Sequence, residues 1–160
     1  MSAVVHRSLR YTLSRGLTLA ADAYGDPAAV PVLFFHGGGQ TRHAWGGAAM
    51  AVARAGFLAI ALDHRGHGES GWPDDGDYRL EAFAEDLRGV VAQLEQRPFL
   101  VGASLGGGAA MMAEGSAAAP LSRGVVLVDV KFDQPTLHSL FGQSNAAGRR
   151  SCRNNAARNV

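Results

Sequence analysis

The 160-residue chain has one cysteine, Cys152, so it cannot close an internal disulfide. It has one lysine, Lys131, against 14 arginines. That imbalance, with abundant Ala and Gly, reads as a coding-composition bias rather than a functional signal. No stretch approaches the ~18 apolar residues of a membrane-spanning helix. The opening Met1-Ser2-Ala3-Val4-Val5-His6-Arg7 has no apolar segment of leader length. Cytoplasmic localisation is the resulting expectation, with no membrane partner. No Gly-Lys-Ser/Thr exists for a P-loop, and Gly102–Gly106 lacks the opening Gly-x-Gly of a dinucleotide fingerprint. Acidic residues are missing from residues 134–160, which carry Arg149, Arg150, Arg153 and Arg158. Residues 1–133 hold 11 basic and all 14 acidic residues, a mildly acidic body ahead of a basic tail. The tail arginines have no interleaved aromatics and no basic fold face, which argues against a nucleic-acid partner.

What is present is a one-domain length with 47% hydrophobic residues, enough for a real core. Ser8–Leu13 and Leu17–Tyr24 read as a hairpin turning at Gly16. Val30–Phe35, Phe57–Leu62, Phe99–Val101 and Gly124–Val130 are near-continuous apolar runs, as expected for strands covered on both faces. Thr41–Ala55 is Ala-rich and predicts a helix. Arg79–Gln96 places Leu80, Phe83, Leu87, Val90, Val91 and Leu94 on one helical face. Strands alternating with helices predict a mostly parallel α/β sheet behind an N-terminal hairpin. The domain is expected over 1–131. Residues 132–160 read as a basic tail without periodicity, expected to be disordered.

Three motifs follow three of the apolar runs. Gly102-Ala103-Ser104-Leu105-Gly106 sits between a buried strand and the small-residue run Gly107–Met112. A serine on such a strand-to-helix turn has its hydroxyl exposed, the geometry of an acyl-transfer nucleophile. His36-Gly37-Gly38-Gly39 follows the Val30–Phe35 run, and its glycines let backbone N–H groups point into a cavity. Gly38, with Gly37 or Gly39 as alternatives, and Leu105 are the expected oxyanion donors. His36 reads as a hydrogen-bonding pin for this turn rather than a base. Asp63-His64-Arg65-Gly66-His67-Gly68-Glu69-Ser70 follows the Phe57–Leu62 run. Two histidines three apart with no carboxylate-rich partner do not read as a metal site. A self-bonded loop bracing the sheet is the expectation. Trp45 and Trp72 read equally as acyl-pocket lining or as packing residues.

In this order, and with Val125–Asp129 after them, the motifs resemble the N-terminal half of the α/β-hydrolase fold over about residues 8–131. The esterase, perhydrolase and epoxide-hydrolase-like branch is the most similar. Epoxide hydrolases and haloalkane dehalogenases of that family carry Asp at the elbow, so Ser104 implies cleavage of ester, thioester, lactone or C–C bonds, or perhydrolysis, with a small ester-like substrate. The resemblance implies no cofactor and no metal. It also implies an acid and then a histidine after the nucleophile. The family supplies these from a C-terminal half and follows its sixth strand with a lid, neither of which is present in these 160 residues. A truncated or frame-shifted product with impaired activity is therefore expected. Asp133, with Asp129 as the alternative acid, and His138 as base have the right order near the end of the last run. Two alternatives stand beside catalysis: a non-catalytic half-fold that binds or assembles, and one half of a split enzyme. A half-sheet leaves Val125–Val130 as an apolar edge, which predicts homodimerisation through that strand.

Overall fold

The computed structural model describes residues 4–131. Six strands form one sheet in the order β1-β2-β4-β3-β5-β6. They are β1 (His6–Thr12), β2 (Thr18–Tyr24), β3 (Pro31–Phe35), β4 (Leu58–Leu62), β5 (Phe99–Ala103) and β6 (Gly124–Val128). The β1–β2 hairpin is antiparallel, and β2 is antiparallel to β4. From β4 through β3 and β5 to β6 every pairing is parallel. Among the described residues three helices cover the sheet: α1 (Gly46–Arg54), α2 (Leu80–Val91) and α3 (Leu105–Gly115).

The runs that form β3 and β4 are central strands covered on both faces and buried at every position. The Gly124–Val130 run does not follow that expectation, because among the described residues β6 is an edge strand with its last three residues exposed. Successive side chains alternate between the two faces. Leu33, Phe35, Leu58, Ile60 and Leu62 join α2 residues Leu87, Val90 and Val91 in the larger core. Val32, Phe34, Ala59 and Ala61 face the other way, onto Ala49 and Ala53 of α1. That second layer is built from alanines, which lets α1 lie close to β4.

Several boundaries differ from the sequence reading, each for a local reason. The helix expected over 41–55 starts as a 3-10 turn, Arg42–Trp45, before α1. Thr41 is extended, and the Arg42 amide donates to Asp63 Oδ1 (2.6 Å) rather than into a helix. The helix expected over 79–96 ends at Val91, where Gln93 and Leu94 bond three residues back and tighten the last turn. Strand β6 stops at Val128 because Asp129 takes a left-handed conformation, φ 47°. Among the described residues no helix is long and apolar enough to cross a membrane.

Candidate active site

Parallel pairing brings the ends of the motif-bearing strands to one edge. Phe35 pairs with Leu62 on one side and Gly102 on the other. The loops that begin at Asp63, His36 and Ser104 therefore emerge next to one another, at the carboxyl ends where open α/β sheets place ligands.

Ser104 sits between β5 and α3 at φ 46°, ψ −111°, a strained conformation for a residue with a β-carbon. Its amide donates to Val128 O of β6 (3.0 Å), and its carbonyl accepts the first helical bond, from Gly108 N–H (2.9 Å). The side chain is exposed and does not cap the helix that it precedes. The glycines around it are required by close approach. A β-carbon at Gly106 would run into the Phe35 carbonyl of β3, and one at Gly102 into the Gly106 backbone. With both bare, the first turn of α3 lies directly on β3 and β5.

The His36–Gly39 turn lies beside the serine: a β-carbon on Gly37 would stand 3.6 Å from that of Ser104. Within the turn, Gly37 N–H donates to Gln40 Oε1 (3.0 Å), and Gln40 N–H returns to Gly37 O (3.2 Å). Gly39 N–H points at His67 Nε2 (3.4 Å). Among the described residues the Gly38 amide has no acceptor. Leu105 is the first residue of α3, and a first-turn amide has no partner within its own helix.

Histidines brace this turn from below. His36 is fully buried; its Nδ1 donates to Gly37 O (2.7 Å) and its Nε2 accepts His64 N–H (3.1 Å). His64 Nε2 donates back to His36 O (3.0 Å), and His67 Nδ1 donates to Arg65 O (2.9 Å). Burial holds His64 neutral, with its pKa pushed down to about 3. Burial also lowers His36, against the opposing effect of its bond to the Gly37 carbonyl. His36 is therefore a structural pin, as the sequence suggested. Among the described residues no three His, Cys, Asp or Glu side chains are grouped to hold a metal ion.

The loop after β4 is also self-bonded. Ser70 Oγ donates to Asp63 O (2.7 Å), and Arg65 reaches Asp86 of α2 through two bonds of 2.6 Å. Sequence reasoning missed its central member, Arg42. The Arg42 guanidinium is buried, bonded to Asp22 Oδ2 (2.9 Å), to Asp63 and to Glu69 Oε2 (3.1 Å). Burial alone would raise the Asp63 carboxyl. The Arg42 and Glu69 amides and the Arg42 charge outweigh it and hold that carboxyl below its ordinary value.

Trp45 packs against Phe34 (5.3 Å between ring centroids). Trp72 lines a cavity of about 850 Å³ between the β1–β2 turn and α2, whose walls include neither Ser104 nor the glycine turn. The acid and base suggested by sequence order, Asp133 and His138, lie outside the described residues.

The model of the alpha/beta hydrolase fold family matches residues 30–143, which spans all three motifs. The chain belongs to the α/β-hydrolase fold family. Over 105 residues it is 41% identical to "Esterase Rv0045c" of Mycobacterium tuberculosis, covering 64% of this chain and 34% of that protein. It is 43% identical over 79 residues to "Non-heme chloroperoxidase CPO-A1" of Kitasatospora aureofaciens, covering 49% of this chain and 28% of that one. Among solved structures, a putative aryl esterase from Burkholderia cenocepacia superposes with a TM-score of 0.72 at 29% identity. That match covers 79% of this chain and 48% of the other. The chain thus spans about a third of the length of these curated relatives and about half of that solved structure.

Proposed function

We propose that this hydrolase-fold chain carries the nucleophile and the oxyanion site of a serine hydrolase acting on ester-type bonds. The observation that carries the reading is Ser104, exposed and strained at φ 46° on the turn between β5 and α3. Its Oγ attacks a substrate carbonyl, and the oxygen that becomes negative is met by the free Gly38 and Leu105 amides. The serine proton requires a base, and Asp133 and His138 follow Ser104 in the order acid, then base. The esterase names of two relatives favour esters over other bonds. The test is covalent labelling with a fluorophosphonate and hydrolysis of p-nitrophenyl acetate. Labelling at Ser104 that disappears in Ser104→Ala, with hydrolysis lowered in His138→Ala, is the expected result. Equal labelling of the wild type and Ser104→Ala would end the reading.

A second reading is favoured by β6, which pairs with β5 alone among the described residues. Val126, Leu127 and Val128 are 52%, 38% and 41% exposed, an open apolar edge of the kind that pairs with another chain. In this reading the half-fold assembles through β6, with a second copy or with a separate chain that completes the enzyme. Light scattering after size exclusion should show a dimer that Val126→Lys converts to monomer. A wild-type monomer at all concentrations would exclude the second copy.

A further inference from the structure

We propose that Gln40 and His67 are positioning residues that select the Gly38 amide as the oxyanion donor by occupying the amides on either side of it. A turn of three glycines has no side-chain barrier to rotation, so any of its N–H groups can swing toward the nucleophile. The structure removes that freedom at two of the three. Gln40 Oε1 accepts from Gly37 N–H at 3.0 Å and closes a small ring with its own amide on Gly37 O at 3.2 Å. His67 Nε2 is the acceptor facing Gly39 N–H at 3.4 Å. His67 can accept there because its Nδ1–H is committed to Arg65 O at 2.9 Å, which fixes the tautomer. His36 and His64, with ring centroids 5.1 and 6.2 Å from that of His67, hold the same loop against the end of β3. The only N–H of the three without an acceptor among the described residues belongs to Gly38, in the turn where a β-carbon added at the neighbouring Gly37 would stand 3.6 Å from that of Ser104. Preorganised donors work because they need no reorientation when charge develops.

The inference rests on the oxyanion reading above, so its test has readouts with and without chemistry. Amide hydrogen exchange by NMR on the full chain measures occupancy directly. Gly37 and Gly39 should exchange more slowly than Gly38, and titration with acetate, a small carboxylate probe, should move the Gly38 and Leu105 amides but not those two. Gln40→Leu should speed exchange at Gly37, and His67→Phe at Gly39, each by about 10-fold or more with the β3 and β4 amides unchanged. Gln40→Glu keeps an acceptor oxygen and should restore Gly37. In the fluorophosphonate assay both apolar variants should slow Ser104 labelling by about 10-fold, less than the ~10²–10³-fold seen on losing a donor outright. Unprotected Gly37 and Gly39 in the wild type, or acetate shifts equal at all three glycines, would overturn the inference. So would full labelling rates in variants whose amides are freed. A wild type that Ser104 chemistry never labels, but whose amides behave as stated, rejects the hydrolase reading and keeps the selection of Gly38.

Discussion

Replacing Arg42 by methionine tests whether the loop after β4 is held by charge. Methionine keeps much of the side-chain volume and removes the guanidinium. Two carboxylates then remain without their cation, Asp63 with a fully buried side chain and Asp22 with one 7% exposed. Breaking a buried pair by removing one partner costs about 3–5 kcal/mol, because the surviving charge stays desolvated. In a domain of this size that is a fall in Tm of roughly 10–18 °C. The pH dependence sharpens the test. In the wild type the folded pKa of Asp63 is depressed, so its contribution is present above the ordinary carboxylate value and is lost as pH falls through the folded one. Without the guanidinium only the two backbone amides oppose burial, so the depression of the folded pKa is lessened and the variant loses less stability on acidification than the wild type. The stability gap between wild type and Arg42→Met should therefore shrink from pH 7 to pH 4. Urea denaturation of both proteins across that range measures it, and the histidine contributions, shared by both, cancel. Arg42→Lys should fall between them, since an ammonium cannot bridge Asp22 and Asp63 with a planar fork. A gap under about 1 kcal/mol at pH 7, or one constant with pH, would refute the buried-charge account.

Gly106→Ala should cost about 3 kcal/mol by urea denaturation, the upper end of overpacking, because its methyl meets the Phe35 backbone, which cannot rotate away. Gly47→Ala is the matched control: nothing lies near that position in α1, so the gain in helix propensity should stabilise by about 0.5–1 kcal/mol. Acid should also loosen the fold through its buried histidines. The folded pKa of His64 is pushed to about 3, so the unfolded chain takes up a proton near the ordinary imidazole value while the folded one does not. Stability is then full above that value and falls toward pH 3 by about 1.4 kcal/mol per pH unit for His64, more steeply with His36 shifted the same way. His64→Phe should flatten the slope of the urea midpoint between pH 6.5 and 4.5; an unchanged slope would contradict the assignment.

The serine turn and the glycine turn were legible because their conformation is written in adjacent residues and announced by the strand before each one. Gln40, by contrast, looks like any polar turn residue. Its one signal is the spacing of three from Gly37, which allows an amide oxygen to reach back to a turn N–H. Arg42 gave no signal at all. It falls in an Ala-rich stretch that reads as helix, and its two buried carboxylate partners are 20 and 21 residues away in the chain. Burying an arginine needs both acids at once, which local pattern cannot express. Likewise Trp72 was weighed as pocket lining, and it does line a cavity, but one that faces the hairpin turn.

By itself the sequence determined the strand and helix content, the parallel core and the strand-to-helix turn at Ser104, since each depends on side-chain period, on glycine and on neighbours a few residues apart. Tertiary structure alone decided the order in which β4, β3 and β5 lie side by side, and with it which loops meet. It decided that Arg42 would bind Asp22 and Asp63, and that among the described residues only the middle amide of three chemically identical glycines would be left without an acceptor. Those outcomes depend on pairing register and on hydrogen-bond geometry between segments far apart in the chain, where distance in space and distance in sequence are unrelated.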